Sequence, residues 1–335
     1  MNRLLFQLLY GNMFSPELPS WILMLAGGVM GAVLFMAAMA FISDVIGLAM
    51  AATRGRDAAR HWLGRMRPAN IAISLVLCTC AAYNGQKAPQ INHVHVGIAG
   101  LPRELEGMRV VHLSDLHLSR LLGRRWLQDV VDRTNALHPH VVVISGDLID
   151  GYVAARGTEL DPIKDLRATH GVFVSLGNHE YYFDHNAWSE KFASLGLRVL
   201  VNEHVAVGRD SSRLVIAAVA DEAAGSFGGE LPSTAKALEG VAASEPVILL
   251  RHRPSGVLDS QRFGVDLQLS GHTHGGMILG VDRVVAAANG GLVSGMYQRG
   301  GTRIYVNNGT GVWNGFPLRL GRPAEIAELT LSSVH

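Results

Sequence analysis

The chain contains 335 residues with a formal net charge of +1; 48% of its residues are hydrophobic and only 17% are charged. A net charge this small provides no broad electrostatic attraction for nucleic acid, so no nucleic-acid partner is expected. The low charged fraction is instead typical of a chain with segments buried in lipid. Its two cysteines, Cys78 and Cys80, are too few and too close together for a disulfide framework.

The first element in chain order is an uncharged run from Trp21 to Ser43. As a helix this run is long enough to cross a hydrocarbon core of about 30 Å. Trp21 is typical of the membrane interface, and Asp44 marks the end of the run. A signal peptide is the competing interpretation, but the run is longer than a typical signal-peptide hydrophobic region. We therefore predict a transmembrane helix over about residues 21–43.

A second, shorter apolar run extends from Ala69 to Tyr83. It is long enough either to span a slightly thinned bilayer or to lie in the interface. Its uncharged flank, which continues to Gln86, favours a spanning helix over about 69–84. We therefore predict that residues 1–88 form a membrane anchor. Gly27 and Gly31 in the first run have the GxxxG spacing of helix contacts, which also arises easily by chance.

The segment between the two runs is rich in arginine and reads as a short loop. Its basic residues are Arg54, Arg56, Arg60, Arg65 and Arg67. By the positive-inside rule this loop is cytoplasmic, which places the N-terminus and everything after residue 90 on the opposite side. If the second run does not span, the later part of the chain is cytoplasmic instead.

After residue 90 the pattern changes to short apolar strands separated by helical or glycine-rich stretches. The predicted strands are Val110–Leu113, Val141–Ile144, Val172–Leu176, Leu214–Ala218, Val247–Leu250, Leu267–Leu269, Ile304–Val306 and Ile326–Leu331. Apolar residues at helical spacing predict a helix from Arg124 to Leu137. This alternation predicts an α/β domain in which two sheets lie between layers of helices.

Five of these strands are followed closely by residues that bind metals. The blocks are Asp115-Leu116-His117, Gly146-Asp147-Leu148-Ile149-Asp150, Gly177-Asn178-His179-Glu180, His252, and Gly271-His272-Thr273-His274. Because ligands in open α/β sheets bind at the carboxyl ends of strands, these blocks are expected to converge on one site. Any one block arises often by chance, but five in this order are strong evidence for a shared site.

The residue types suit a pair of divalent ions about 3.5–4 Å apart. A carboxylate such as that of Asp147 can bridge both ions with its two oxygens, and the preceding glycine permits a tight turn. Asn178 offers a neutral oxygen ligand, and the paired histidines His272 and His274 can each reach a different ion. Imidazole and carboxylate ligands favour Mn, Fe or Zn over Ca. We therefore predict two divalent metal ions as cofactors.

These blocks resemble the signature of the calcineurin-like metallophosphoesterase superfamily, which reads DxH, GDxxD, GNH[DE], His and GHxH. The resemblance covers about residues 91–331, and the predicted domain extends from 91 to 335. The string from Leu269 to Gly276 and the run Pro317–Gly321 are similar to the bacterial membrane-anchored branch, in which Met277 is often Gln. The resemblance implies a four-layer αββα sandwich. Together with the transmembrane helical hairpin that the two apolar runs predict, it indicates a multi-pass protein of the bacterial inner membrane.

The resemblance also implies a role for each residue of the blocks. In this interpretation the first ion binds Asp115, His117 and His274, the second binds Asn178, His252 and His272, and Asp147 bridges them. His179 protonates the leaving oxygen or stabilises the transition state, and Asp150 orients His179. A hydroxide that bridges the two ions attacks the phosphorus.

The function implied is hydrolysis of a phosphodiester or a pyrophosphate, with a lipid-linked substrate as one candidate because the domain is tethered to a bilayer. The alternatives are a phosphomonoesterase of broad specificity and a non-catalytic, membrane-anchored metal-binding protein. Outside the blocks, Arg251 and Arg253 are candidate contacts for an anionic substrate, and Tyr181 and Tyr182 are candidates to line the cleft. Trp313 and Phe316 are candidates for an apolar lip near the membrane, which would suit a lipid-linked substrate. For each of these a structural role is at least as good an explanation.

Overall fold

The computed structural model describes residues 15–209 and 212–334. The first 14 residues of the predicted anchor, two residues at 210–211 and His335 lie outside the described residues. The α-helices are α1 (Ser20–Arg54), α2 (Arg56–Gly85), α3 (Arg124–Ala136), α4 (Val153–Arg156), α5 (Asn178–Tyr182), α6 (His185–Ser194), α7 (Thr234–Ala237), α8 (Val257–Arg262) and α9 (Val281–Ala288).

The strands comprise every one predicted from the sequence and four more, β1, β5, β6 and β10. They are β1 (Gln90–Ala99), β2 (Arg109–Leu113), β3 (Val141–Ser145), β4 (Val172–Ser175), β5 (Arg198–Leu200), β6 (Glu203–Arg209), β7 (Ser212–Ala218), β8 (Val247–Leu250), β9 (Leu267–Ser270), β10 (Gly295–Arg299), β11 (Thr302–Val306) and β12 (Glu325–Val334). The predicted helix at 124–137 is α3, which ends one residue earlier.

Helices α1 and α2 form an antiparallel hairpin in which both are long and apolar enough to cross a membrane. The Asn70 side chain donates a hydrogen bond to Ser43 Oγ at 2.9 Å, and the Cys78 thiol contacts the Gly28 carbonyl oxygen at 3.1 Å. The two predicted apolar runs therefore lie side by side, at 21–43 on α1 and 69–84 on α2.

The predicted arginine-rich loop is wrong in its conformation, because its residues are helical. Helix α1 continues to Arg54, helix α2 begins at Arg56, and only Gly55 separates them. Gly55 has φ 90°, a value that glycine adopts readily, so the chain reverses at this residue without a loop. Arginine, alanine, leucine and methionine, which dominate this stretch, are good helix formers.

The domain after residue 90 contains two six-stranded mixed sheets. The strand orders are β1-β12-β2-β3-β4-β5 and β10-β11-β9-β8-β7-β6. Strands β2, β3, β4 and β5 run parallel, as do β7, β8, β9 and β11. Val110 pairs with Val141 and Leu113 pairs with Ile144, so β2 and β3 end side by side. The parallel strands thus bring the predicted motif blocks to one edge of each sheet.

Three apolar cores hold the layers together. The central core lies between the sheets and contains Val143 of β3 and Ile248 of β8. A second core packs Val130 of α3 against the outer face of the first sheet, and a third packs Ala237 of α7 against Val215 of the second. The order helix, sheet, sheet, helix is the α/β sandwich expected from the sequence.

The hairpin packs directly against the α/β domain through a short segment that includes Pro317 and Leu318. A Cβ atom on Gly27 would approach Pro317 Cγ within 2.5 Å, and one on Gly31 would approach Leu318 Cδ1 within 2.6 Å. The absence of side chains at Gly27 and Gly31 therefore leaves the space in which Pro317 and Leu318 pack against α1. The backbone N–H of Arg319 also donates to the Ala81 carbonyl oxygen at 2.9 Å.

Candidate metal centre

The loops that follow β2, β3, β4, β8 and β9 meet at one buried site between the two sheets. The backbone at this site is unusual because several of its non-glycine residues have a left-handed φ. These residues are Asp115 (51°), His117 (45°), Asp147 (54°), His272 (67°) and His274 (50°). Such conformations cost about 1–3 kcal/mol each and persist where the surrounding structure imposes them, most often at functional sites.

One cluster at this site contains the side chains of Asp115, His117 and His274, all of them buried. The Nε2 atoms of His117 and His274 lie 3.1 Å apart. Asp115 Oδ1 lies 3.6 Å from His274 Nε2 and 3.9 Å from His117 Nε2. These three side chains are the set predicted for the first ion.

A second cluster contains Asp147, His252 and His272. Asp147 Oδ2 lies 3.2 Å from His252 Nε2, and His272 Nδ1 lies 3.3 Å from the same nitrogen. The Asn178 side-chain oxygen is 3.2 Å from His252 Nε2. Asp147 Oδ2 is also 3.8 Å from His117 Nε2, so this carboxylate lies between the two clusters.

The donors present fit divalent cations. Imidazole nitrogens face each other at 3.1 and 3.3 Å, and two nitrogens approach this closely only when a proton or a cation lies between them. The carboxylates of Asp115 and Asp147 are buried beside them, and buried carboxylates are costly without a compensating positive charge. Mixed carboxylate, amide and imidazole donors suit Mn, Fe and Zn.

The pKa values of the histidines in the second cluster also reflect the buried carboxylate beside them. Although burial opposes the charge on His252, the Asp147 carboxylate raises the pKa of His252 to about 10. Burial and the neighbouring His252 charge lower the pKa of His272 to about 3. His252 is therefore protonated and paired with Asp147, whereas His272 is neutral.

Asp150 is buried beneath both clusters and contacts two histidines with one oxygen. Its Oδ1 accepts from Nδ1 of His179 at 2.6 Å and from Nδ1 of His117 at 2.9 Å. These contacts direct Nε2 of each ring towards Asp147, at 3.9 Å for His179 and 3.8 Å for His117. Burial opposes the charge on His179, but Asp147 and Asp150 outweigh it and raise the pKa of His179 to about 9.

Glu180 is a structural member of the site that sequence reasoning did not identify. Its buried carboxylate accepts backbone N–H groups from Asp147 at 2.9 Å, Leu148 at 2.7 Å and Gly177 at 2.7 Å. Burial and the Asp147 charge raise the pKa of Glu180 to about 7. Glu180 thus ties the loop after β3 to the loop after β4. Its position inside the Gly177–Glu180 block was the only available signal.

Arg319 is a second residue that sequence reasoning did not assign to the site. Its side chain is 1% exposed, and its guanidinium donates to the carbonyl oxygens of Asn308 and Gly311, both at 2.7 Å. One of its terminal nitrogens lies 3.2 Å from Nδ1 of His274. Arg319 therefore connects the segment that packs on the hairpin to a residue of the first cluster.

A pocket of about 180 Å³ opens beside the two clusters. Besides motif residues it is lined by Tyr182, Met277 and Trp313. The rings of Tyr182 and Trp313 flank His179, with centroid distances of 5.3 and 6.2 Å. The pocket therefore has a polar floor and an aromatic and thioether rim. Of the aromatic candidates outside the blocks, Tyr182 and Trp313 line the pocket, whereas Tyr181 is buried in the core beside the first sheet and Phe316 packs in the apolar cluster with Phe35 and Leu318.

The two arginines beside His252 are paired with acidic residues. The Arg251 guanidinium donates to Glu222 at 2.8 Å, and that of Arg253 donates to Asp221 at 3.0 Å. These ion pairs favour the structural explanation of both residues. His112 is likewise buried against Ser145 Oγ at 2.7 Å, and burial lowers its pKa to about 3.

Comparison with known proteins places this site in a family. A family model described as calcineurin-like phosphoesterase matches residues 108–276. The chain is 31% identical over 326 residues to a Danio rerio protein named transmembrane protein with metallophosphoesterase domain, and the match covers 93% of this chain and 74% of that protein. The Bos taurus protein of the same name is 34% identical over 281 residues, with coverages of 80% and 63%. An uncharacterized metallophosphoesterase of Campylobacter jejuni is 34% identical over 263 residues, with coverages of 78% and 68%.

Proposed function

Because the chain belongs to the calcineurin-like phosphoesterase family of metal-dependent phosphoester hydrolases, we propose that it cleaves a phosphodiester or a pyrophosphate with two divalent ions. The observation that carries this proposal is the pair of buried clusters that have the Asp147 carboxylate between them. The complete set of carboxylate, amide and imidazole donors argues against a non-catalytic relative with a degenerate site.

We assign the ligands by their cluster. The first ion would bind Asp115, His117 and His274, the second would bind Asn178, His252 and His272, and Asp147 would bridge the two. When bound, the two ions would neutralise the phosphate and activate water for in-line attack. The division between a membrane anchor at 1–88 and a phosphoesterase domain at 91–335 is part of this proposal.

His179 is the proposed general acid. Asp150 holds its Nδ1 at 2.6 Å, which leaves Nε2 directed towards the site. Since the pKa of His179 is raised, the ring carries the proton that an alkoxide leaving group needs. A general acid is most useful for a poor leaving group such as an alkoxide, and this supports a natural ester substrate.

A lipid-linked substrate is supported by the position of Met277. This residue lines the metal pocket and also packs in an apolar cluster with Phe35 of α1, Ala81 of α2 and Leu318. The wall of the pocket is therefore one side chain away from the proposed membrane helices. A phosphoester carried on a lipid would reach the pocket along this apolar wall without leaving the bilayer surface.

We further propose that both helices of the hairpin span the membrane in a multi-pass arrangement. Two relatives are named transmembrane proteins, and α1 and α2 are long and apolar enough to cross. The arginines around Gly55 would then be cytoplasmic, with the catalytic domain on the other face. Labelling single cysteines at exposed positions 60 and 258 with an impermeant thiol reagent tests this, in a Cys78→Ser/Cys80→Ser background. Labelling of position 60 in intact cells would contradict it.

The activity is tested with the full chain in detergent micelles. Bis-p-nitrophenyl phosphate and p-nitrophenyl phosphate are compared with Mn, Zn, Fe or chelator, for the parent chain, Asp147→Asn and His179→Ala. We expect metal-dependent hydrolysis of the diester, which Asp147→Asn abolishes. Faster hydrolysis of the monoester would favour a phosphomonoesterase. Failure to bind metal and to hydrolyse either ester would refute the proposal.

A further inference from the structure

A second cavity, of about 220 Å³, lies where α2 ends and the catalytic domain begins. It is lined by residues that follow the helix, including Lys87 and Gln90, and by the segment from Arg319 to Ala324. The metal pocket has a different lining, so the two cavities are distinct. Nothing in the proposed phosphoesterase chemistry uses this second cavity.

The cavity is basic. Lys87, Arg319 and Arg322 line it, and the residues that line it include no carboxylate. Arg322 is ion-paired with Asp282, whereas the terminal nitrogens of Arg319 donate to backbone carbonyl oxygens.

Two buried donors in this lining lack an acceptor. The Nε atoms of Arg319 and Arg322 have no hydrogen-bond partner among the described residues. Buried donors without a partner are uncommon and commonly mark a site for a water, an ion or a ligand. Two guanidinium donors and a lysine ammonium suit a phosphate oxygen cluster, because arginine and lysine are the usual phosphate-binding side chains.

Two exposed aromatic residues lie at the end of the hairpin that is next to the cavity. Trp21 at the start of α1 is 67% exposed, and Tyr83 near the end of α2 is 65% exposed. Both lie at the same end, because Gly27 and Gly85 contact the same residue, Pro317. The Lys87 ammonium lies 4.6 Å from the centre of the Tyr83 ring. Exposed aromatic and basic residues together are typical of the boundary between bilayer and water.

Two exposed side chains, those of Leu279 and Tyr83, lie beside the lining of the cavity. Leu279 is 68% exposed, and its backbone N–H donates to the Leu320 carbonyl oxygen at 2.8 Å, next to the cavity. Tyr83 exposes its ring on the helix side. A free phosphate ion would make no use of these surfaces, whereas the acyl chains of a phospholipid would cover them.

We propose that this cavity binds the headgroup phosphate of an anionic phospholipid from the bilayer around the hairpin. Lys87, Arg319 and Arg322 bind the phosphate, and Tyr83 and Leu279 contact the acyl chains. Basic pockets of this kind beside membrane helices bind anionic headgroups. The bound lipid holds the catalytic domain at a fixed height above the membrane surface. The proposal requires the hairpin to be in a bilayer but does not rest on phosphoesterase activity.

Lipid binding by the full chain tests the proposal. The protein is reconstituted in nanodiscs of phosphatidylcholine with a minor fraction of phosphatidylglycerol, and the lipids retained after mild detergent extraction are counted by native mass spectrometry. The variant is Lys87→Gln, and the matched control is Arg283→Gln, a basic residue on α9 that is exposed and does not line the cavity. Both changes remove one positive charge from the surface.

We expect the parent chain to retain phosphatidylglycerol in preference to phosphatidylcholine. Lys87→Gln should weaken this preference about five-fold, which corresponds to about 1 kcal/mol for one basic side chain. Arg283→Gln should retain the parent preference. Equal retention of the two lipids, or equal losses in the two variants, would overturn the proposal. So would thermal stabilisation of the lipid-free protein by inorganic phosphate that Lys87→Gln abolishes, since the site would then bind free phosphate.

Discussion

At the scale of single residues, Asp150 couples the proposed general acid to the proposed metal ligands. One oxygen of its carboxylate accepts from both His179 and His117. A resemblance between motifs implies only the first contact, because the spacing of residues within GDxxD carries no information about His117. The shared oxygen means that a change at Asp150 acts on proton transfer and on metal binding together.

We expect Asp150→Asn and His179→Gln to differ for this reason. Asp150→Asn should weaken metal binding by about 10–100-fold, because His117 loses the carboxylate that orients it. His179→Gln should lower kcat by about 10²–10⁴-fold while the metal content stays near that of the parent chain. Metal content by plasma mass spectrometry and kcat on a phosphodiester with an alkoxide leaving group distinguish the two. Unchanged metal affinity in Asp150→Asn would argue against the coupling.

At the scale of elements, the turn after β9 is packed tightly against the turn after β2. A Cβ atom on Gly271 would lie 1.9 Å from Ser114 Oγ and 2.2 Å from Asp115 Oδ2. The backbone N–H of His272 also donates to both oxygens of Asp115, at 3.1 and 3.0 Å. This contact fixes Asp115 relative to the His272-Thr273-His274 turn, and only glycine leaves room for it.

We expect Gly271→Ala to displace the Asp115 carboxylate and to lower turnover by about 10²-fold, as misplacement by about 1 Å does in other enzymes. Bound metal should fall from two ions to about one per chain, since Asp115 belongs to one cluster only. Gly301→Ala is the control, because nothing lies within 4 Å of a Cβ atom there. If both variants keep full metal content and turnover, the packing argument fails.

The hairpin offers a matched pair of substitutions at this same scale. Gly27→Leu would place a side chain where Pro317 lies, whereas a Cβ atom on Gly28 would have nothing within 4 Å. We expect Gly27→Leu to lower stability by about 1–3 kcal/mol, the usual cost of overpacking, and Gly28→Leu to have little effect. Thermal unfolding of the full chain in detergent, followed by circular dichroism, checks this. Equal midpoints would show that the contact is weak.

An element can be predicted from the sequence when a short stretch of residues carries its pattern of apolar and polar side chains. Strands β3 and β8 are short apolar runs buried on both faces, so the pattern alone identifies them. Strand β1 alternates apolar and polar residues at the edge of its sheet, and most of it is exposed, which weakens the signal. Charged residues between two apolar runs predict a loop around Gly55, but helix formation depends on residue type and not on polarity, so both helices continue to this glycine.

The residues of the site also differ in whether a local sequence pattern identifies them. Asp115, His117, Asp147 and the histidines of the fifth block were predictable because each belongs to a short string after a strand. Arg319 was not, because its environment comes from the carbonyl groups of Asn308 and Gly311 and from His274, which is 45 residues away. Pairings of this kind depend on the tertiary fold, and no local pattern encodes them.

At the scale of the whole molecule, the hairpin also contributes to the structure of the domain. Leu318 is 0% exposed and Ile278 is 4% exposed, and both pack in the cluster that contains Phe35, Cys78 and Ala81 of the hairpin. A chain that begins at residue 88 would expose this surface. Because burying one such side chain contributes about 1.5–3 kcal/mol, the hairpin is expected to support the domain by several kcal/mol.

We therefore expect the fragment from residue 88 onward to unfold at a lower guanidinium concentration than the full chain. Its free energy of unfolding should be lower by roughly 3–5 kcal/mol, and it should self-associate. Adding Leu318→Ser to the fragment should restore solubility, since it removes an exposed apolar side chain. Denaturant unfolding with analytical ultracentrifugation measures both quantities. A fragment that is monomeric and as stable as the full chain would mean that the hairpin serves only as a tether.

The shared position of Met277, between the metal pocket and the hairpin cluster, has a kinetic consequence for a lipid-borne substrate. Such an enzyme would meet its substrate by diffusion in the plane of the membrane. The concentration that sets its rate is then the mole fraction of substrate among the membrane lipids. Dilution of the bilayer with an inert lipid would then slow the reaction even when the amount of substrate per volume is constant. Adding water to the same vesicles would leave the rate per enzyme unchanged.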